Sequence, residues 1–282
     1  FPFREGLPGF FPRAPLRYDV NVVKVNATVL RLTSTGYGVR NAQSVVEALA
    51  ARDPQPSAPA AVYAPTVASV AIGRDFLVSG FDHVAADAPD HATGTGSALP
   101  ALGVDGDSAA DALSAGLAPS ELAQWVGKGG AASIADVVGA DLDALAAALA
   151  VAPGAVSLAV SALSPGAHLG TSAAPQLTVL SNDGVLGNNV DGCGILVAPA
   201  GLHIAGTFTF SGVVLIRGTA TFDASSTVRI DGSLAVAGTN PSLTLGGSGA
   251  VTYDHEVLAA IDQQFPDRLP HGMVLKGWRE VF

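Results

Sequence analysis

From Pro175 onward the chain is a series of short apolar runs cut apart by glycine: GILV, LHIA, TFTF, VVLI, ATF, VRI, LAV and LTL. Glycines 194, 201, 206, 212, 218, 232 and 238 recur mostly five to seven residues apart. A parallel crossover through a helix needs a dozen or more residues, so this step excludes βαβ units and suits corners between stacked strands. A single-sheet meander or a sandwich remains open, but a β-solenoid of a few coils accommodates strands this short better. The expected fold class is therefore mainly β, with a solenoid-like carboxy-terminal body.

The rest of the composition agrees. Thirty-three glycines, 18 prolines and only 13% charged residues point to many tight turns and few long amphipathic helices. At 282 residues and 49% hydrophobic content there is material for a substantial core. The formal net charge of −10 excludes a nucleic-acid partner, because phosphate binding needs a basic face. That charge is uneven: residues 1–52 carry seven Lys and Arg against Glu5, Asp19 and Glu47, while the remainder carries seven against twenty-one. Only the amino-terminal part suits an anionic membrane surface or an acidic partner. Cys193 is the only cysteine, which rules out an internal disulfide and a cysteine zinc cluster; between Gly192 and Gly194 it reads as a small packed residue.

Four segments follow from the patterning. Residues 1–17, with Phe1, Phe3, Phe10 and Phe11 among three prolines and two glycines in FPFREGLPGFFPR, make an extended arm, and those four aromatics are the candidate docking residues. Their packing on the protein's own body and their docking on a partner are both open. Residues 18–107 form a β-rich region. The run 18–33 alternates like a half-buried strand, Ser34 to Gly38 turns the chain, and Ala42 to Ala51 is strand or short helix. The stretch TVASVAIGRDFLVSGFD then gives a first pair of solenoid strands, followed by a long acidic loop from Asp82 to Asp107.

Residues 108–174 form a helical insert, with helices over Ser108 to Leu117, Ser120 to Val126 and Ser133 to Val151, each opened by a serine N-cap. Residues 144–182 carry no charged side chain, but Pro153-Gly154 breaks the run, so two buried pieces are expected there and not a membrane span. Residues 175–282 form the solenoid and its cap, a short helix over 254–264 and a final strand in which Trp278 and Phe282 pack against the body.

Residues 192–218, GCGILVAPAGLHIAGTFTFSGVVLIRG, together with Pro175-Gln176, Asp183-Gly184, the TSTGYG turn and Trp278-Arg279-Glu280, resemble PilX-like pilus-assembly proteins, relatives of the minor pilins. The resemblance covers about half of the chain and implies a non-catalytic subunit at the periplasm or cell surface. Such proteins begin with a long apolar anchoring helix, which Pro2, Gly6 and Pro8 forbid here; a removed anchor or a fold reused without the filament role would each account for this.

Catalytic signatures are sparse. No Gly-x-Ser-x-Gly elbow occurs between a strand and a helix, no phosphate loop follows a strand, and the six histidines, His83, His91, His168, His203, His255 and His271, have no paired ligand spacing. Asp223 and Asp231 are candidates to pair across coils as glycosidase carboxylates do, with solvated corner residues as the plainer account. Asp82, Asp87 and Asp90 are a candidate weak calcium site. The expectation is a non-enzymatic, extracytoplasmic structural or docking subunit of a membrane-anchored assembly, without cofactor. The alternatives are a carbohydrate-binding or carbohydrate-active solenoid, for which Phe208, Phe210, Phe222 and Tyr253 are the available aromatics, and a bactofilin-like polymer.

Overall fold

The computed structural model describes residues 17–26, 28–38, 42–56, 58–84 and 94–281. The chain divides into two compact units, Phe1–Ser57 with His271–Phe282, and Ala58–Pro270. These boundaries cut across the segments drawn from composition, because strands pair with neighbours far away in sequence.

The first unit is an antiparallel sheet. It begins with β1 (Arg17–Lys24), β2 (Val29–Tyr37) and β3 (Gln43–Pro56). The single strand expected over 18–33 is a hairpin: Asn26 Oδ1 accepts the Thr28 N–H at 2.9 Å, an Asx-type turn that reverses the chain. The expected turn at 34–38 is instead the second half of β2, and the reversal falls where the Gly38 N–H reaches the Ala42 carbonyl at 2.7 Å. Period-two alternation continues through Thr33, Thr35 and Tyr37, and β-branched and aromatic residues hold one glycine within a strand. Ala42 to Ala51, open between helix and strand, is strand from Gln43 onward.

The second unit is a parallel β-solenoid of about five turns. Its first coil is β4 (Val62–Tyr63), β5 (Ser69–Ile72) and β6 (Asp75–Ser79). The next is partial: β7 (Leu102–Val104), α1 (Asp107–Gly116), α2 (Pro119–Leu122), β8 (Trp125–Gly127), β9 (Gly130–Ala131) and β10 (Ile134–Asp136). Helix α3 (Leu142–Ala150) follows, then β11 (Val156–Leu158), a 3₁₀ turn at Val160–Ala162, β12 (Ala167–Leu169) and β13 (Gln176–Leu180). The remaining coils run through β14 (Val185–Leu186), β15 (Val190–Ala198), β16 (Leu202–Ile204), β17 (Thr207–Arg217), β18 (Ala220–Phe222), β19 (Thr227–Ala237), β20 (Ser242–Leu245) and β21 (Ser248–Tyr253). Helix α4 (His255–Gln264) leaves the last coil, and β22 (His271–Val281) returns to the first unit beside β3.

The coils are not stacked in chain order. The chain winds from β4 to β10, α3 carries it back alongside β19, β17 and β15, and winding resumes at β11. The last coil then meets the first: β19 pairs with β4, β20 with β5 and β21 with β6, all parallel. The unit is thus one solenoid made of two halves joined at a seam of ordinary strand pairs.

Glycine sets the cross-section. Gly194, Gly212 and Gly232 stand in register at the same corner, with φ of +134°, +135° and +132°. At each bend a Cβ would strike the backbone carbonyl of the coil below: Gln176 for Gly194, Gly194 for Gly212 and Gly212 for Gly232. Only glycine satisfies both the backbone angle and the spacing. The bend splits β15, β17 and β19 between two faces; β14, β16, β18, β20 and β5 make the third. The true repeat is therefore the interval from Gly194 to Gly212 and from Gly212 to Gly232, several times the raw glycine spacing, because most glycines mark other corners of the same coil.

Phe76, Phe208, Phe210 and Phe222 are fully buried inside this body. Phe208 and Phe210, two apart on one strand, point the same way and stack at 5.9 Å. Phe76 meets Phe222 at 6.0 Å and ties the two halves together from within. Each buried ring contributes roughly 2–3 kcal/mol of transfer free energy. These aromatics are core, which removes the stacking platform that a glycan-binding solenoid would need from Phe208, Phe210 and Phe222.

The helical insert expected at 108–174 holds helices, with different bounds. Only α1, α2 and α3 are α-helical, and β8 to β12 extend the solenoid faces. Ser133 to Val151 has helical spacing, yet Ile134–Asp136 is recruited by the open edge of β7, and the helix starts only at Leu142. Ser120 lies inside α2, and Trp125 and Val126, expected to be helical, pair with β6. Nor do serines cap: Asp141 accepts the Ala144 N–H at 3.0 Å, while α1 follows Gly106. The tail helix and final strand are present as expected. Helix α4 lies against β17 and β19, and Trp278 on β22 is not packed inward but 68% exposed.

Candidate functional site: a polar seam and an apolar sheet face

Two arrangements gather the chemistry-bearing residues. The first follows from the seam. Register aligns Cys193, Ser211, Asp231, Thr252 and Ser79 on successive strands, a polar ladder on an otherwise apolar sheet. Asp231 is buried; both its oxygens accept from Arg229 Nε, and Oδ1 also accepts the Thr252 hydroxyl at 2.7 Å. Ser79 Oγ lies 2.7 Å from His83 Nε2, and the His83 N–H reaches the Tyr253 carbonyl at 2.9 Å.

Asp82 is the hub. At 2% exposure it accepts the backbone N–H of His255 on Oδ1 (3.0 Å) and that of Gly96 on Oδ2 (2.6 Å), while His255 Nδ1 lies 2.7 Å from Oδ2. Next along the chain Asp254 caps α4 through Val257 N. Burial pushes the Asp254 carboxyl above the usual carboxylate range, the Val257 amide pulls it back, and Asp82 and Asp231 push it further up. Burial, with the charges of Asp82 and Asp254, pushes the Tyr253 phenol up to about 12. Burial likewise raises the Cys193 thiol.

This geometry holds chain together. The Ser79–His83 pair has nucleophile-to-base spacing, but Ser79 is fully buried, so no substrate can approach its hydroxyl. The Asp82 carboxylate faces N–H donors, which is the reverse of what a cation requires. Asp87 and Asp90, the other members of the candidate calcium site, lie outside the described residues. Among the described residues no group of three or more His, Cys, Asp or Glu side chains is placed to hold a metal ion.

Asp223 and Asp231 do not pair, and they are not both solvated corners. Asp223 binds His203 Nε2 at 2.7 Å, whereas Asp231 lies inside the ladder. His168 similarly meets Asp191 at 2.7 Å. Sequence spacing hides these His–Asp pairs because the partners sit one whole coil apart, and not the three or four positions of a local motif.

The second arrangement is the sheet of the first unit, ordered β1-β2-β3-β22. Direct cross-strand partners share a face, so register sorts its side chains. One face carries Val20 and Val46; Val22, Leu32, Ala48 and Trp278; then Leu30, Ala50 and Leu275. The opposite face is mixed: Asn21, Thr33, Glu47 and Arg279, with an Arg279–Glu47 ion pair at 2.6 Å, stand among Val23, Val45, Leu49, Val274 and Val281. Among the described residues of these four strands only Ala51 is buried. Leu275 is 59% exposed. Phe1, Phe3, Phe10 and Phe11, the expected docking residues, lie outside the described residues; the apolar face is a docking candidate that sequence reasoning missed. The alternation of 18–33 and the lone Trp278 were its only signals.

No protein-family model matches the chain, and no curated protein matches it significantly. Among solved structures, the competence-associated pilin ComZ from Thermus thermophilus aligns over 99% of this chain and 86% of its own, at 12% identity and a TM-score of 0.26. A superposition at that score does not make the two chains one fold. Among the described residues no helix is long and apolar enough to cross a membrane.

Proposed function

We propose that this chain is a non-catalytic structural subunit outside the cytoplasm, in which the solenoid is a rigid body and the four-stranded sheet attaches it to a membrane-anchored assembly. The observation that carries the reading is the apolar sheet face centred on Trp278 and Leu275, in a protein whose solenoid buries its aromatic core. A contiguous apolar face of that kind marks an interaction surface. The polar groups that enzymatic readings would use, Ser79, His83, Asp82, Asp231 and His255, are instead bonded to one another and to backbone along and beside the seam.

A pilus-like ectodomain is one form of this role. It draws on the resemblance of residues 192–218, which run from β15 through β16 to the end of β17, more than one coil. An extrinsic subunit of another membrane complex is the other form. Extraction of native membranes in mild detergent, with mass spectrometry of what co-purifies, tests the role. Recovery with one large complex supports it, and recovery as a free protein with turnover of a glycan overturns it.

A further inference from the structure

We propose that the apolar sheet face binds an anionic lipid surface directly. The argument begins with charge. The unit Phe1–Ser57 with His271–Phe282 holds nine Lys and Arg against five Asp and Glu, +4, whereas Ala58–Pro270 holds five against nineteen, −14. A chain this acidic overall is repelled by an anionic bilayer, so only the sheet unit is suited to approach one.

The face itself repeats that segregation. Lys24 pairs with Leu30 in the row of Ala50 and Leu275, and Arg52 stands opposite Met273 in the next row. On the Trp278 side of the Leu275 row β22 bulges, with Lys276 as the extra residue between Leu275 and Gly277. Lys24 and Arg52 therefore share one end of the face, with Lys276 beside it on the edge strand. Glu280, its carboxylate, lies toward the other end, where Ser44 Oγ approaches it at 3.1 Å. Exposed Leu275 and Met273 lie among the cations, and exposed Trp278 one row away. Apolar side chains that enter the acyl boundary, an indole suited to the headgroup level and lysines that meet phosphate form one amphiphile-binding pattern. An acidic protein surface would satisfy the cations and leave Val22, Leu275 and Trp278 in contact with polar groups.

The inference extends the docking role by naming lipid as what the face touches. The full chain is mixed with vesicles of phosphatidylcholine alone or with phosphatidylglycerol, and tryptophan emission is read together with co-sedimentation. Trp125 is fully buried, so a change in emission reports Trp278. Expected are binding to the anionic vesicles only, a blue shift, quenching by brominated acyl chains, and about fivefold weaker binding for each of Lys24→Gln and Lys276→Gln. Leu275→Glu, at an exposed position, should abolish the shift while leaving the thermal melt in place.

Absence of binding to anionic vesicles at low salt overturns the proposal. So does binding that Leu275→Glu leaves unchanged, or a concentration-dependent dimer that shields Trp278 without lipid. If vesicles fail while a membrane complex still co-purifies, the docking role stands and the face belongs to a protein partner.

Discussion

Asp82 and His255 lie 173 residues apart, and the Asp82 carboxylate takes both the backbone N–H of His255 at 3.0 Å and a contact with its Nδ1 at 2.7 Å. The contact joins the end of the first coil, just past β6, to the start of α4, just past the last coil. It is therefore a clasp on a seam that also depends on strand pairing.

Removing the clasp should loosen the whole body. Asp82→Ala leaves the N–H groups of His255 and Gly96 without their buried acceptor, at a cost of about 2–4 kcal/mol. Asp82→Asn keeps one acceptor oxygen and should fall between. Urea unfolding of the three proteins gives that order if the clasp is structural; equal midpoints would refute it.

The glycine ladder separates sterics from flexibility. Gly212→Ala must place a Cβ against the Gly194 carbonyl at a φ of +135°, so it should cost more than about 3 kcal/mol or prevent folding. Gly129→Ala has a positive φ with open space around it and should cost about 1 kcal/mol. Comparable losses at the two sites, measured by thermal and urea unfolding, would contradict the corner geometry.

Tyr253 predicts an alkaline limb. Its phenol is raised from 10 to about 12, so its contribution is complete below pH 10 and is lost as pH rises through about 12. Relative to Tyr253→Phe, the wild type should lose about 2–3 kcal/mol across that window. Unfolding midpoints of the two proteins that run parallel from pH 9 to 12 would exclude it.

Asp254 works in the opposite pH region by the same sign rule. Its folded carboxyl is raised, so its contribution is complete below the ordinary carboxylate value and falls as pH climbs through the raised one. Asp254→Asn keeps the side-chain oxygen that accepts Val257 N and removes a charge near Asp82 and Asp231. The variant should therefore gain on the wild type as pH rises from 3 to 7, as read by midpoints at each pH.

The short strands, the glycine corners and the 255–264 helix were legible because each depends on local pattern. The coil length was not, since a second glycine corner, at Gly201, Gly218 and Gly238, interleaves with Gly194, Gly212 and Gly232, and the second of the intervals between those three is longer than the first. Ile134–Asp136 illustrates the same limit: its own residues satisfy a helix, and the distant strand edge at Leu102–Val104 decides otherwise. The seam was hidden for the stronger reason that β5 and β6 pair with β20 and β21, at the far end of the solenoid sequence. The apolar sheet face became visible only when register brought Val22, Leu32, Ala48 and Trp278 into one row.

The attachment role is tested most directly by a photo-crosslinker placed at position 278, and separately at exposed Thr207 on the solenoid, in native membranes. If the sheet is the attachment surface, light captures a membrane component, lipid or protein, from position 278 and little from position 207. Capture from position 207 alone, or from neither, would contradict it.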